Sequence, residues 1–99
     1  MKARSAQARE AAEALAVQAL SYIAQDGERL GRFLGLTGIG PAEIRAAARE
    51  PGFLAGVLDY LAGDESLLTG FAAEAGHDPA TIAAARLALG GGSWERDVP

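Results

Sequence analysis

Residues 20–47 read LSYIAQDGERLGRFLGLTGIGPAEIRAA and residues 58–85 read LDYLAGDESLLTGFAAEAGHDPATIAAA. Laid over one another without a gap, they agree at 12 of 28 positions, always at an offset of 38. Composition alone, even in a chain this rich in alanine, supplies agreement at roughly one position in ten. The match reads as an internal duplication. The identical pairs are Leu20/Leu58, Tyr22/Tyr60, Asp26/Asp64, Leu30/Leu68, Phe33/Phe71, Gly38/Gly76, Pro41/Pro79 and Ile44/Ile82, with four alanine pairs that weigh less.

Every shared position has a structural use. Asp26 and Asp64 suit the start of a helix, where a short carboxylate accepts from otherwise unpaired backbone N–H groups. Gly38 and Gly76 suit a helix end that turns through positive φ, and Pro41 and Pro79 suit the first turn of the next helix, where a missing N–H costs nothing. Leu30 with Phe33, and Leu68 with Phe71, stand three apart and share one helix face, which is core. The pattern predicts helices over about 5–25, 27–35 and 41–49, then 52–62, 65–75 and 79–89. Phe53, Leu54, Val57, Leu58 and Leu61 form the broadest apolar stripe and should lie between the two units. The expected fold is all-α: a compact bundle of about six short helices in one domain, 1–99, built from similar three-helix units at about 12–49 and 50–89. The run Gly90-Gly91-Gly92 ends the last helix, and 90–99 reads as a flexible tail.

Composition narrows the function. The 99 residues are 49% hydrophobic, enough for a core that hides roughly 60–65% of the unfolded chain's surface, yet no apolar run nears the roughly 20 residues of a spanning helix. The start, MKARSAQARE, has positive charge but no apolar stretch behind it, so the expected location is cytoplasmic. The absence of cysteine excludes disulfides and thiolate metal sites, and the single histidine, His77, rules out an imidazole cluster within one chain. Neither cofactor nor metal is expected. A net charge of −4 argues against a protein that coats nucleic acid by electrostatics alone.

The sharpest local signal is LTGIGPAEIR at 36–45. Its Gly38-Ile39-Gly40-Pro41 turn resembles a helix-hairpin-helix, in which backbone N–H groups and the following helix's N-terminus hold a nucleic-acid phosphate. Candidate phosphate ligands are Gly38 and Gly40 with Arg29, Arg32, Arg45 and Arg49. Residues 26–49 carry four Arg against Asp26, Glu28 and Glu43, a charge of +1, whereas residues 64–87 carry Arg86 against Asp64, Glu65, Glu74 and Asp78, a charge of −3. Both copies keep the Gly and the Pro, but Asp78 in the second turn would repel a phosphate where Gly40 lets one approach. Ile44 also replaces the small residue usual four places after the second glycine of such hairpins. Helix punctuation is the favoured reading of this turn, with phosphate binding the alternative.

The remaining candidates are weaker. His77 has no partner motif and reads as a loop residue. Glu10 with Glu13, and Asp64 with Glu65, belong to helix starts or polar faces. Ser66, Thr69 and Thr81 lack a neighbouring base in sequence. Tyr22 and Tyr60 should pack their rings and keep their hydroxyls wet or bonded. Trp94, in the acidic tail behind three glycines, is a candidate partner anchor or a residue that folds back onto a groove. The Ala-rich first helix, with Leu15, Ala19, Leu20 and Ile23 on one face, either completes the bundle or faces a partner.

Residues 32–91, RFLGLTGIGPAEIRAAAREPGFLAGVLDYLAGDESLLTGFAAEAGHDPATIAAARLALGG, resemble a family of small bacterial proteins known only as a domain of unknown function. The resemblance implies a compact helical domain and brings no catalytic or binding residues with it. The expected function is that of a small non-enzymatic interaction or regulatory module that binds another protein or itself. Nucleic-acid binding through 36–45 is the alternative, and no membrane is involved.

Overall fold

The computed structural model describes the backbone of residues 2–89 and the side chains of residues 7–89 apart from Pro51. The expected tail and Trp94 lie outside the described residues. Helix α1 spans Lys2–Ala24 and α2 spans Gly27–Thr37; a 3₁₀ turn at Pro41–Glu43 runs into a single helical turn, α3, at Ile44–Ala47. Helices α4, α5 and α6 follow at Pro51–Ala62, Glu65–Ala75 and Pro79–Ala88. All regular structure among the described residues is helical, as the sequence pattern requires.

The boundaries rest on a few local bonds. Asp26 Oδ1 accepts from the N–H groups of Glu28 at 2.9 Å and Arg29 at 3.3 Å, and Asp64 Oδ1 accepts from that of Leu67 at 3.1 Å. Both aspartates thus satisfy donors that the helix itself leaves free. Gly38 and Gly76 end α2 and α5 in the left-handed region, at φ 75° and 74°. Their turns close differently. The His77 N–H reaches back to the Ala72 carbonyl at 2.9 Å, whereas the Ile39 N–H is taken by the Thr37 hydroxyl at 3.3 Å.

The two aligned segments share this punctuation and part company at their third helices. Helix α6 runs ten residues and buries Ile82 and Ala85, while the stretch expected as a helix over 41–49 is a 3₁₀ turn plus four α-helical residues, with none buried. Pro51 supplies one reason, since its ring disfavours helical backbone at Glu50, which sits extended at ψ 121°. The other is that only Ile44 offers this segment a sizeable apolar anchor, and it is half-buried.

A single core joins α1, α2, α4, α5 and α6. Helix α1 contributes Ala12, Leu15, Ala16, Ala19, Leu20 and Ile23, spaced by three and four so that they form one continuous stripe. It packs against α2, α4, α5 and α6, which makes it the hub; the alternative of a partner-facing first helix gives way to bundle completion along this stripe. The α4 stripe behaves largely as expected, with Leu54, Val57, Leu58 and Leu61 buried and Phe53 half-buried.

The aromatic residues bind the two aligned segments crosswise. Tyr22 of the first packs on Phe71 of the second with ring centroids 5.6 Å apart, and Tyr60 of the second packs edge-on against Phe33 of the first at 5.1 Å. Tyr22 aligns with Tyr60 and Phe33 with Phe71 in the sequence, so each tyrosine packs on the phenylalanine of the other aligned segment.

Two stability outcomes follow from this geometry. Ala16 is fully enclosed, so Ala16→Leu should lower the unfolding free energy by about 1–3 kcal/mol through overpacking, whereas exposed Ala24→Leu should change it little. Chemical denaturation of both variants checks this. In the same assay Gly35→Ala, in the open interior of α2, should stabilise by about 0.5–1 kcal/mol, while Gly38→Ala three residues later should destabilise, because an alanine at φ 75° is strained.

Candidate functional site

The glycine turn at 38–41 is chemically occupied. The Gly38 N–H donates to the Leu34 carbonyl at 2.8 Å, the Ile39 N–H to Thr37 Oγ1 at 3.3 Å, and the Gly40 N–H to Glu43 Oε1 at 3.0 Å. Pro41 has no N–H to offer. The donors that a helix-hairpin-helix would present to phosphate are bound within the chain, one of them by a carboxylate that is itself an anion. Glu43 stands three residues after Gly40, the spacing of the back-reaching half of a capping box.

Arg29 has partners of its own. Arg29 stacks on Tyr22, its guanidinium carbon 4.1 Å from the ring centroid, and its Nε lies 3.9 Å from Asp26 Oδ2. Arg29 and Arg32 border a recess of about 190 Å³ together with Tyr22, Tyr60, Asp64 and Ser66. Neither the glycines of the turn nor Arg45 and Arg49, which are exposed on and just beyond α3, line that recess. The second copy's arginine, Arg86, is held by Asp59 across α4 and α6 at 2.5 Å.

His77 is half-buried rather than open to solvent. Its Nε2 lies 2.9 Å from Gln18 Oε1, the ring N–H donating to the amide oxygen, and its ring centre is 5.9 Å from that of Phe71. Ser66, Thr69 and Thr81 are exposed, and among the described residues no three His, Cys, Asp or Glu side chains come together as a metal site would need. No helix among those residues is long and apolar enough to cross a membrane.

A groove of about 410 Å³ lies between α1 and α6. Ala8, Ala11 and Leu15 form one wall and Thr81, Ala84 and Ala88 the other, with the Gln18–His77 pair at one end. That pair fixes an antiparallel course, since α1 lines the groove backwards from residue 18 while α6 lines it forwards from residue 77. Beyond Gln18 a second recess of about 400 Å³ opens between α1 and α5, where exposed Val17 lies beside Tyr22 and Phe71. Gln18 belongs to both, so the Gln18–His77 bond stands as the partition between them.

Sequence reading missed the groove residues, although a signal exists: alanines recur at three- and four-residue spacing on both helices. It also passed over Gly70 in the middle of α5. A Cβ there would collide with the Tyr22 hydroxyl, so the glycine is what lets Tyr22 lie down on Phe71. Gly70→Ala should therefore cost about 1 kcal/mol, at the low end for overpacking. Adding Tyr22→Phe, which removes the clashing oxygen, should recover part of that loss. A double-mutant cycle by denaturation reads the coupling, and strictly additive effects would contradict the account.

Searches among curated proteins and among solved structures return no match to this chain. A family model does match, over residues 9–92, which takes in the alanine face of α1, the glycine turn, the α4 stripe and α6. The chain belongs to the family described as Protein of unknown function (DUF3572).

Proposed function

We propose that this chain is a small non-catalytic interaction module that receives an apolar helix of another protein in the groove between α1 and α6. The observation that carries the reading is the groove itself. It is bounded by two antiparallel helices over residues 8–18 of α1, about 15 Å at 1.5 Å per residue. Its walls are mostly alanine, so a third helix can approach closely, toward the short end of the usual 8–10 Å spacing of helix axes. Among the described residues no Asp, Glu, Lys or Arg lines it, while the chain as a whole carries −4. The fitting partner is an amphipathic helix with an apolar face and Lys or Arg on its flanks.

The nucleic-acid alternative loses its main support at the glycine turn, where Glu43 holds the amide that a phosphate would need. Arg29 and Arg32 border a recess that Arg45 and Arg49 do not line.

Site-specific photocrosslinking in the native host tests the proposal. A photoreactive residue at Ala84, on the groove wall, should yield one discrete adduct whose crosslinked peptide maps to a helical segment of the partner. The same group at Glu28, exposed on α2, should not. Ala11→Arg, which fills the groove from the facing wall, should abolish the Ala84 adduct. An adduct that survives Ala11→Arg, or forms equally from position 28, would mean that the groove is not the contact surface.

A further inference from the structure

The recess that Arg29 and Arg32 border draws on four helices. Tyr22 comes from α1, the two arginines from α2, Tyr60 from α4, and Asp64 with Ser66 from the start of α5. Its lining sets two guanidinium groups against one carboxylate, in a chain whose overall charge is −4. Arg32 is exposed, and among the described residues it pairs with no carboxylate.

Arg29 is the more telling of the two. Its contact with the Tyr22 ring, 4.1 Å from guanidinium carbon to ring centroid, uses the group's charge and none of its N–H donors. Its Nε is buried and has no hydrogen-bond partner among the described residues. Asp26 Oδ2 stands off at 3.9 Å, too far for a hydrogen bond, while Asp26 Oδ1 is held by the backbone N–H groups of Glu28 and Arg29. Asp64 is likewise tied to its own helix start, accepting from the Leu67 N–H at 3.1 Å. A buried donor without an acceptor is costly, and here the fold leaves one beside a recess. The Arg29 side chain is 27% exposed, so the guanidinium is held by the tyrosine yet open to a ligand.

We propose that this recess binds the carboxylate of a small organic monoacid, with Arg29 and Arg32 as its charged anchors. The planar fork of an arginine matches the two oxygens of a carboxylate. An entering carboxylate meets the terminal N–H groups of Arg29 first, and a small turn of the guanidinium over the Tyr22 face brings its Nε–H into the same pair of bonds. The Tyr60 and Ser66 hydroxyls in the lining can donate to the same oxygens. At about 190 Å³ the recess admits a head group with a few carbons, below the roughly 300–1,000 Å³ of pockets that enclose a drug-sized ligand. One positive charge in excess, with Asp26 close by, favours a single negative charge over the double charge of a phosphate. The site is separate from the α1–α6 groove and stands or falls without it.

Nuclear magnetic resonance of the full chain labelled with nitrogen-15 tests this, with benzoate, acetate and inorganic phosphate titrated in turn while sodium chloride holds the ionic strength constant. Benzoate and acetate should shift the Arg29 Nε–H signal and the backbone amides of Ser66 and Leu67 along saturating curves. Arg29→Gln should weaken benzoate binding about tenfold, as the loss of a charge-assisted pair implies. Arg32→Gln and Ser66→Ala, both at exposed positions, should each weaken it several-fold. Arg45→Gln, exposed and away from the recess, should leave it unchanged. Circular dichroism should show every variant folded; if Arg29→Gln is not, the two exposed variants carry the test.

Shifts no larger with the carboxylates than with chloride alone would overturn the inference. So would saturating shifts that ignore Arg32→Gln and Ser66→Ala, which mean binding elsewhere on the surface. Phosphate saturating at a lower concentration than benzoate would overturn the carboxylate assignment.

Discussion

The structure depends on one constraint: α1 must be approached closely by four other helices at once. A helix surface can satisfy several neighbours only if its ridge is low where they crowd, and α1 meets this with Ala12, Ala16 and Ala19 between Leu15, Leu20 and Ile23. The large side chains are supplied from the opposite side, by Val57, Leu58 and Leu61 of α4, Phe71 of α5 and Ile82 of α6. Close packing of this kind leaves little tolerance for added volume. The same economy of side-chain size that seats the core along one face of α1 continues onto its neighbouring face with Ala8 and Ala11, where the described fold places nothing on top of it. Core and groove are two outcomes of one alanine-rich helix.

The glycine turn shows how a motif's shape and its chemistry separate. The turn needs Gly38 for its positive φ and Pro41 to begin the next helical turn, and both needs are local to the backbone. Presenting amides to a phosphate requires in addition that no internal acceptor reach them. Thr37 and Glu43 reach two of them here, each from within three residues. A hairpin can therefore keep its outline after its donors have been turned inward.

What was legible in the sequence follows the range of the interactions. Asp26, Asp64, Gly38, Gly76 and the prolines could be read because caps depend on neighbours two to five residues away. The shortness of α3 was not read, although Pro51 and the lack of apolar anchors around Ile44 carry the signal. Glu43 as the ligand of Gly40 was equally present, in a capping-box spacing. The hub role of α1 was harder, because alanine marks a buried face much less clearly than leucine does. The groove and the Tyr22–Gly70 contact lay out of reach, since each depends on which helices become neighbours, and an offset of 38 does not say whether two copies stack in file or interlock.

That they interlock through Tyr22 on Phe71 and Tyr60 on Phe33 has a consequence in time. Of the described helices α1 is made first, and the helix that shares its longest boundary, α6, is made last. Neither half can complete its aromatic packing from its own residues, so the first 50 residues keep an apolar stripe open until α4 to α6 are made. Helix α1 can form early by local bonds alone, but its full burial needs the last of the described helices. A fold wired this way resists assembly by halves: the last of the described helices closes over the first.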